Sequence, residues 1–151
     1  MKDKFYYMKM ALDLARKAGE LGEVPIGAVI VKDGEVLSSA FNMRNQKGMA
    51  TAHAEILAIE DACKKLGDWR LDGAEMYVSL EPCPMCAGAI VNARIKKVYF
   101  GAFEKKSGAV FSNFRLLFKG GLNHVTDAEG GILEKECSDL LKEFFLDKRK
   151  V

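Results

Sequence analysis

The segment AEMYVSLEPCPMCAGAIVN, residues 74–92, joins a strand to a helix through a proline-flanked cysteine. Ala74 to Leu80 reads as the strand. Glu81-Pro82-Cys83-Pro84 then turns the chain into a helix, because Pro84 lacks the N–H that a first helical turn leaves unpaired in any case. The helix runs to about Asn92, and Lys97 to Phe100 supplies the next strand. Upstream, Ala28-Val29-Ile30-Val31 is a buried-type apolar run, Asp33-Gly34 is a hairpin turn signal, and Val36 to Phe41 is the return strand. A hairpin followed by alternating helices and strands is an α/β pattern in which helices cover a central sheet. The hairpin makes that sheet mixed rather than all parallel.

The flanks extend the pattern. Phe5, Met8, Leu12 and Ala15 recur at helical spacing and predict an amphipathic helix over roughly 2–21, ending near Gly22. Ile56, Leu57, Ile59, Ala62, Cys63 and Leu66 predict a second helix that begins close to Thr51 and stops at Gly67. A short helix near Asn113 to Phe118, a weak strand around Val125 and a last helix from Leu133 to about Lys148 complete the chain. No repeat, low-complexity tract or linker interrupts it, so residues 1–151 are expected to form one domain, long enough to bury a core without staples.

Hydrophobic residues make up 49% and charged residues 29%, a globular balance that excludes disorder as the organising state. The net charge of +2 does not announce a polyanionic partner, which leaves nucleic acid to a local patch. No stretch reaches membrane-spanning length and the N-terminus lacks an unbroken apolar segment, so a cytoplasmic address without a membrane is expected. The four cysteines, at 63, 83, 86 and 137, are then expected to be reduced.

Two short segments carry chemistry: Thr51-Ala52-His53-Ala54-Glu55 and Pro82-Cys83-Pro84-Met85-Cys86. Cys83 and Cys86 stand three apart, so both sulfurs reach one side of a first helical turn. A helix N-terminus favours the thiolate, the form that binds metal. His53 adds a nitrogen, and three ligands of this type fit a catalytic zinc site with one position left for water. Glu55 lies two residues past His53 and does not share its face on an ideal helix, which puts the metal off the helix tip. Its expected task is proton transfer, first from the water and then to a leaving amino group. Taken singly, each feature has a plainer explanation: a capping histidine, a redox Cys-x-x-Cys, a capping-box glutamate. The last needs its carboxylate three residues after Thr51, and Ala54 stands there. The combination favours chemistry.

His-x-Glu followed by Pro-Cys-x-x-Cys resembles the signature of the zinc nucleobase deaminases. Over nearly the whole chain the sequence is similar to the tRNA-specific adenosine deaminases, through Gly22-Glu23-Val24-Pro25-Ile26-Gly27-Ala28, Ala52-His53-Ala54-Glu55, Leu80 to Gly88, Phe100-Gly101-Ala102, Asn123-His124 and Phe144-Phe145. The resemblance implies a cytidine-deaminase-like three-layer α/β/α sandwich, a homodimer, one zinc per subunit and conversion of adenosine to inosine at the wobble position of a tRNA anticodon. It implies that His53, Cys83 and Cys86 hold the zinc and that Glu55 moves the proton. Asn42 would bond the target base, Val24 and Ala54 would line its pocket, and Phe145 and Arg149 would meet the anticodon loop. Two departures bear on substrate choice: Glu104 stands where the family usually has an aspartate, and Val110 to Phe114 replaces a Gly-Ser-Leu-like stretch.

RNA deaminases act on splayed loop nucleotides and need cations for phosphate. Arg44, Lys105, Lys106, Lys148, Arg149 and Lys150 are the candidates, although a basic C-terminal end also complements a helix dipole. His124, Cys63 and Cys137 are expected to be structural, and one of Phe144 and Phe145 to be buried. Two further readings stay open: a deaminase of a free guanine- or cytosine-type compound, and a non-catalytic module whose zinc takes a fourth protein ligand.

Overall fold

The computed structural model describes residues 2–118 and 120–149. Helix α1 (Lys4–Glu20) starts where the Asp3 carboxylate accepts the Tyr6 N–H at 3.0 Å. Its buried stripe is Tyr7, Met8, Ala11, Leu12, Ala15 and Ala18. Strands β1 (Gly27–Lys32) and β2 (Glu35–Phe41) pair antiparallel across Asp33 and Gly34, both at positive φ as a two-residue hairpin turn requires. A short helix α2 (Arg44–Lys47), which no periodicity announces, follows β2. Then come α3 (Ala54–Leu66), β3 (Glu75–Leu80), α4 (Pro84–Asn92), β4 (Lys97–Ala102), β5 (Asp127–Glu129) and α5 (Glu134–Arg149).

The strand order is β2-β1-β3-β4-β5, with β1 antiparallel to both neighbours and the β3-β4 and β4-β5 pairs parallel. The expected mixed sheet is therefore present. Side chains alternate across it as the pleat dictates. Ala28, Ile30, Met76, Val78, Val98 and Phe100 pack with Ala58 and Ala62 of α3 and with Ala87 and Ile90 of α4. Val29, Val31, Tyr77 and Tyr99 face the other way, onto α1 and onto Cys137, Leu140 and Leu141 of α5. The result is a three-layer α/β/α sandwich. Gly27 lets α1 sit directly on β1, since a Cβ there would lie 2.1 Å from the Ala11 carbonyl oxygen.

Three boundaries differ from the expected ones. α3 begins at Ala54 rather than near Thr51, because His53 has extended backbone and occupies the position just before the first helical residue. The helix expected over 113–118 is a 3-10 turn of Leu116–Phe118, entered through Arg115 at φ 50°. The last strand lies at Asp127–Glu129, and Val125 is 79% exposed. Just before that strand, His124 Nε2 and Thr126 Oγ1 both donate to the Ile95 carbonyl at 2.8 Å, which ties the segment to the start of β4. All four cysteines are free, as expected. Among the described residues no helix is long and apolar enough to cross a membrane.

Candidate active site

Two helix starts meet beyond the C-terminal end of β3, the middle strand of the sheet. His53 is the cap residue of α3 and Cys83 that of α4; both have extended backbone and neither uses its side chain to cap its helix. The leading N–H groups of each helix thus keep their positive end toward the site. Cys86 lies in the first turn of α4, behind Pro84. His53 Nδ1 stands 3.7 Å from Cys83 Sγ and 3.5 Å from Cys86 Sγ. With Zn–S near 2.3 Å and Zn–N near 2.0–2.1 Å, the N···S edge of a tetrahedron is about 3.6 Å, so the donor spacing fits zinc. The charge state fits as well. The hydrogen bond from the Cys86 thiol holds Cys83 down to about 4, against burial and with help from His53. The bond to Cys83, followed by burial, pushes the Cys86 thiol well up, and the same Cys83 sulfur raises His53 despite burial. One thiolate is therefore already present, and metal loading displaces the remaining protons.

Glu55, second residue of α3, is buried beside this group, and loss of solvation raises its carboxyl to about 7. Among the described residues, His53, Cys83 and Cys86 form the one cluster of His, Cys, Asp or Glu whose ligand atoms lie within 4.8 Å of one another. Glu55 is outside it. The fourth ligand that a purely structural zinc would need is also missing from that cluster: the Cys63 thiol points at the Trp69 carbonyl, His124 is bonded to Ile95, and Cys137 is buried beside Gly101.

His53, Cys83 and Glu55 form the floor of a cavity of about 240 Å³, with Cys86 fully buried behind them, and its walls include Val24, Asn42, Arg44, Glu104 and Ser107. Asn42 is nearly buried; its Nδ2 donates to the Val24 carbonyl at 3.3 Å and its Oδ1 accepts the Arg44 N–H at 3.2 Å. α2 fixes that geometry, and Glu23 fixes α2: the buried Glu23 carboxylate accepts from the N–H groups of Asn45 at 3.0 Å and Gln46 at 2.6 Å. It does the capping that Met43 cannot. Outside the cavity a larger cleft of about 810 Å³ shares Val24, Leu80 and Glu104 with it and adds Lys105, Lys106, Lys142 and Phe145.

The structure therefore brings together Val24, Asn42, His53, Glu55, Cys83 and Glu104 in the cavity, and Lys106 and Phe145 in the adjoining cleft. Ala54 does not line either; its methyl is fully buried among the α3 and α4 core residues, because the first turn of α3 faces the sheet there. Phe145 is 45% exposed while Phe144 is half-buried, so the two aromatics differ in exposure but neither is fully buried. The side chain of Arg149 and all of Lys150 lie outside the described residues. Sequence reasoning gave no task to Glu23 or Glu81, both essentially fully buried. Their only signal was a glutamate set among apolar and motif residues, Gly22 to Ala28 and Leu80 to Gly88.

The model of the family described as the cytidine and deoxycytidylate deaminase zinc-binding region matches residues 1–102. A tRNA-specific adenosine deaminase of Bacillus subtilis (strain 168) is 51% identical over 144 residues, covering 95% of this chain and 89% of that protein. A solved structure from studies of A-to-I editing by tRNA:A34 deaminases at the wobble position of transfer RNA is similar at TM-score 0.87 and 47% identity, covering 89% of this chain and 98% of that one. A guanine deaminase structure from Bacillus subtilis is similar at TM-score 0.66 and 33% identity, over 99% of this chain and 96% of that one. The spacing of two sulfurs and an imidazole at paired helix starts, the layered mixed sheet and these likenesses agree: the chain belongs to the zinc-binding cytidine and deoxycytidylate deaminase family, in its group of tRNA-specific adenosine deaminases.

Proposed function

We propose that this chain, as one deaminase domain over residues 1–151 that acts as a homodimer in the cytoplasm, hydrolyses adenosine to inosine at the wobble position of a tRNA anticodon. The observation that carries the reading is the pairing of a small cavity floored by Glu55, His53 and Cys83 with a cleft more than three times larger that opens from it and carries lysines and Phe145. His53, Cys83 and Cys86 hold zinc. When bound, zinc lowers the pKa of a water to about 7 and so supplies a nucleophile at neutral pH. Glu55, poised by burial to exchange a proton near neutrality, accepts the water's proton at its carboxylate and delivers it to the departing amino nitrogen. Water is consumed and ammonia leaves. Asn42, held by Val24 and by the backbone of Arg44, orients the edge of the base.

An adenine stacked in a duplex cannot reach this floor, so the substrate is a splayed loop nucleotide. Its neighbours need a stacking surface and phosphate contacts, which Phe145, Lys105, Lys106 and Lys142 offer at the cleft. The 33% likeness to a guanine deaminase favours a second reading, deamination of a free base, with the same floor. That reading leaves the cleft without a task. The test offers zinc-loaded protein an anticodon stem-loop with adenosine at the wobble position. Inosine there, with no ammonia from free guanine, adenine or cytidine, supports the first reading; the reverse pattern selects the second.

A further inference from the structure

We propose that Glu81 is a positioning residue that sets the substrate-facing loop of residues 103–113 by binding its backbone amides. The loop supplies Glu104 and Ser107 to the cavity and Lys105 and Lys106 to the cleft, yet it contains no regular secondary structure to hold it. Glu81 is 2% exposed and follows directly on β3. Its Oε1 accepts the Glu104 N–H at 3.1 Å and the Ser112 hydroxyl. Its Oε2 accepts three amides in a row, from Val110 at 3.1 Å, Phe111 at 2.7 Å and Ser112 at 2.9 Å. Gly108 closes the arrangement: a Cβ there would lie 2.5 Å from the Glu81 carboxyl carbon and 2.4 Å from the Glu104 carbonyl oxygen.

Every partner of this carboxylate is a donor. A glutamine cannot replace it without turning its NH₂ toward at least one N–H. The less costly orientation puts the NH₂ at the Oε1 position, where the Ser112 hydroxyl can rotate to accept but the Glu104 N–H is left facing a donor. Glu81→Gln therefore frees the Glu104 end of the loop and leaves the anchors at residues 110–112 in place. Glu104 is the loop residue that lines both cavity and cleft, beside Val24 and Leu80, so substrate affinity is what suffers.

The consequence for substrate rests on the RNA reading above; the consequence for the loop does not, and the test separates them. Hydrogen exchange on the zinc-loaded protein, without RNA, reads the loop. In Glu81→Gln the Glu104 amide exchanges faster while those of Val110, Phe111 and Ser112 keep their protection; in Glu81→Ala all four speed up. Steady-state kinetics on the stem-loop read the wall. Loss of one charge-assisted hydrogen bond predicts a rise in KM of roughly tenfold that exceeds any fall in kcat, with stoichiometric zinc retained. Gly108→Ala disturbs the same contact without changing charge and is expected to raise KM likewise. Wild-type protein inert on the stem-loop would refute the RNA reading and leave the exchange result standing. A Glu104 amide as protected in Glu81→Gln as in wild type would overturn the proposal. So would a variant that loses zinc and kcat at constant KM, since Glu81 would then serve the cysteine helix instead.

Discussion

The metal floor and the substrate walls of one cavity are built in contrasting ways. His53, Cys83 and Cys86 come from two helix starts, and each start carries its ligands within four residues of chain. The walls, α2 with Asn42 on one side and the 103–113 loop on the other, have little structure of their own and hang from carboxylates distant in sequence, Glu23 and Glu81. A floor made from helix tips is rigid because the sheet core seats both helices. A wall made from backbone amides around a buried acid can change its side chains while keeping its path. Zinc chemistry can thus stay constant while substrate choice changes, which suits a chain similar both to a tRNA-specific adenosine deaminase and to a guanine deaminase.

The contrast can be broken at the floor first. Cys86→Ala removes one of three ligands and is expected to lower bound zinc far below one per subunit and to abolish turnover; atomic absorption that still finds a full equivalent, with activity intact, would refute the site. Glu55→Ala touches the same floor without touching the metal. Turnover should drop by about 10²–10⁴, the usual range for a lost general acid–base, with zinc content and fold preserved. Loss of zinc in that variant would instead make Glu55 a ligand.

A titration sharpens the distinction between the buried acid and its surroundings. The Glu55 carboxyl is raised in the folded protein to about 7, so the folded state holds a proton that the unfolded chain releases near its ordinary value of 4.5. Protonated Glu55 favours folding below that lower value, and the benefit is lost as pH rises through about 7. The metal-free wild type should therefore lose melting temperature relative to Glu55→Gln between those two pH values; parallel curves would contradict the assignment of burial as the cause. The smallest effect belongs to the outer cleft. Phe145→Ala should raise KM for the stem-loop by roughly tenfold, within the 1–3 kcal/mol that stacking on an aromatic supplies, and leave kcat nearly unchanged. Equal KM values would remove Phe145 from the RNA surface.

Much of this molecule is legible along the chain because its signals are local. The apolar run at Ala28 to Val31, the Asp33-Gly34 turn and the Pro84 helix start each depend on neighbours a few residues away, and each appears within a residue or two of its expected place. The metal ligands are legible for the same reason: a short spacing puts two sulfurs at one helix tip. Glu55 was legible only with its neighbour, since a spacing of two makes no sense inside a helix and becomes sensible once His53 is the cap.

What the linear code does not carry is long-range pairing of backbone with side chain. Glu23 and Glu81 read as ordinary glutamates, because the N–H groups they bind belong to residues 22 to 31 positions further on and have no side-chain signature. Ala54 illustrates the reverse, a residue beside the ligands whose methyl the fold turns into the core. Periodicity and spacing therefore pointed to the mixed sheet, the candidate zinc ligands and the candidate proton carrier. Tertiary structure alone decided which amides the buried acids would gather, and with them the shape of the surface offered to a substrate, since such hydrogen bonds exist only after distant segments meet.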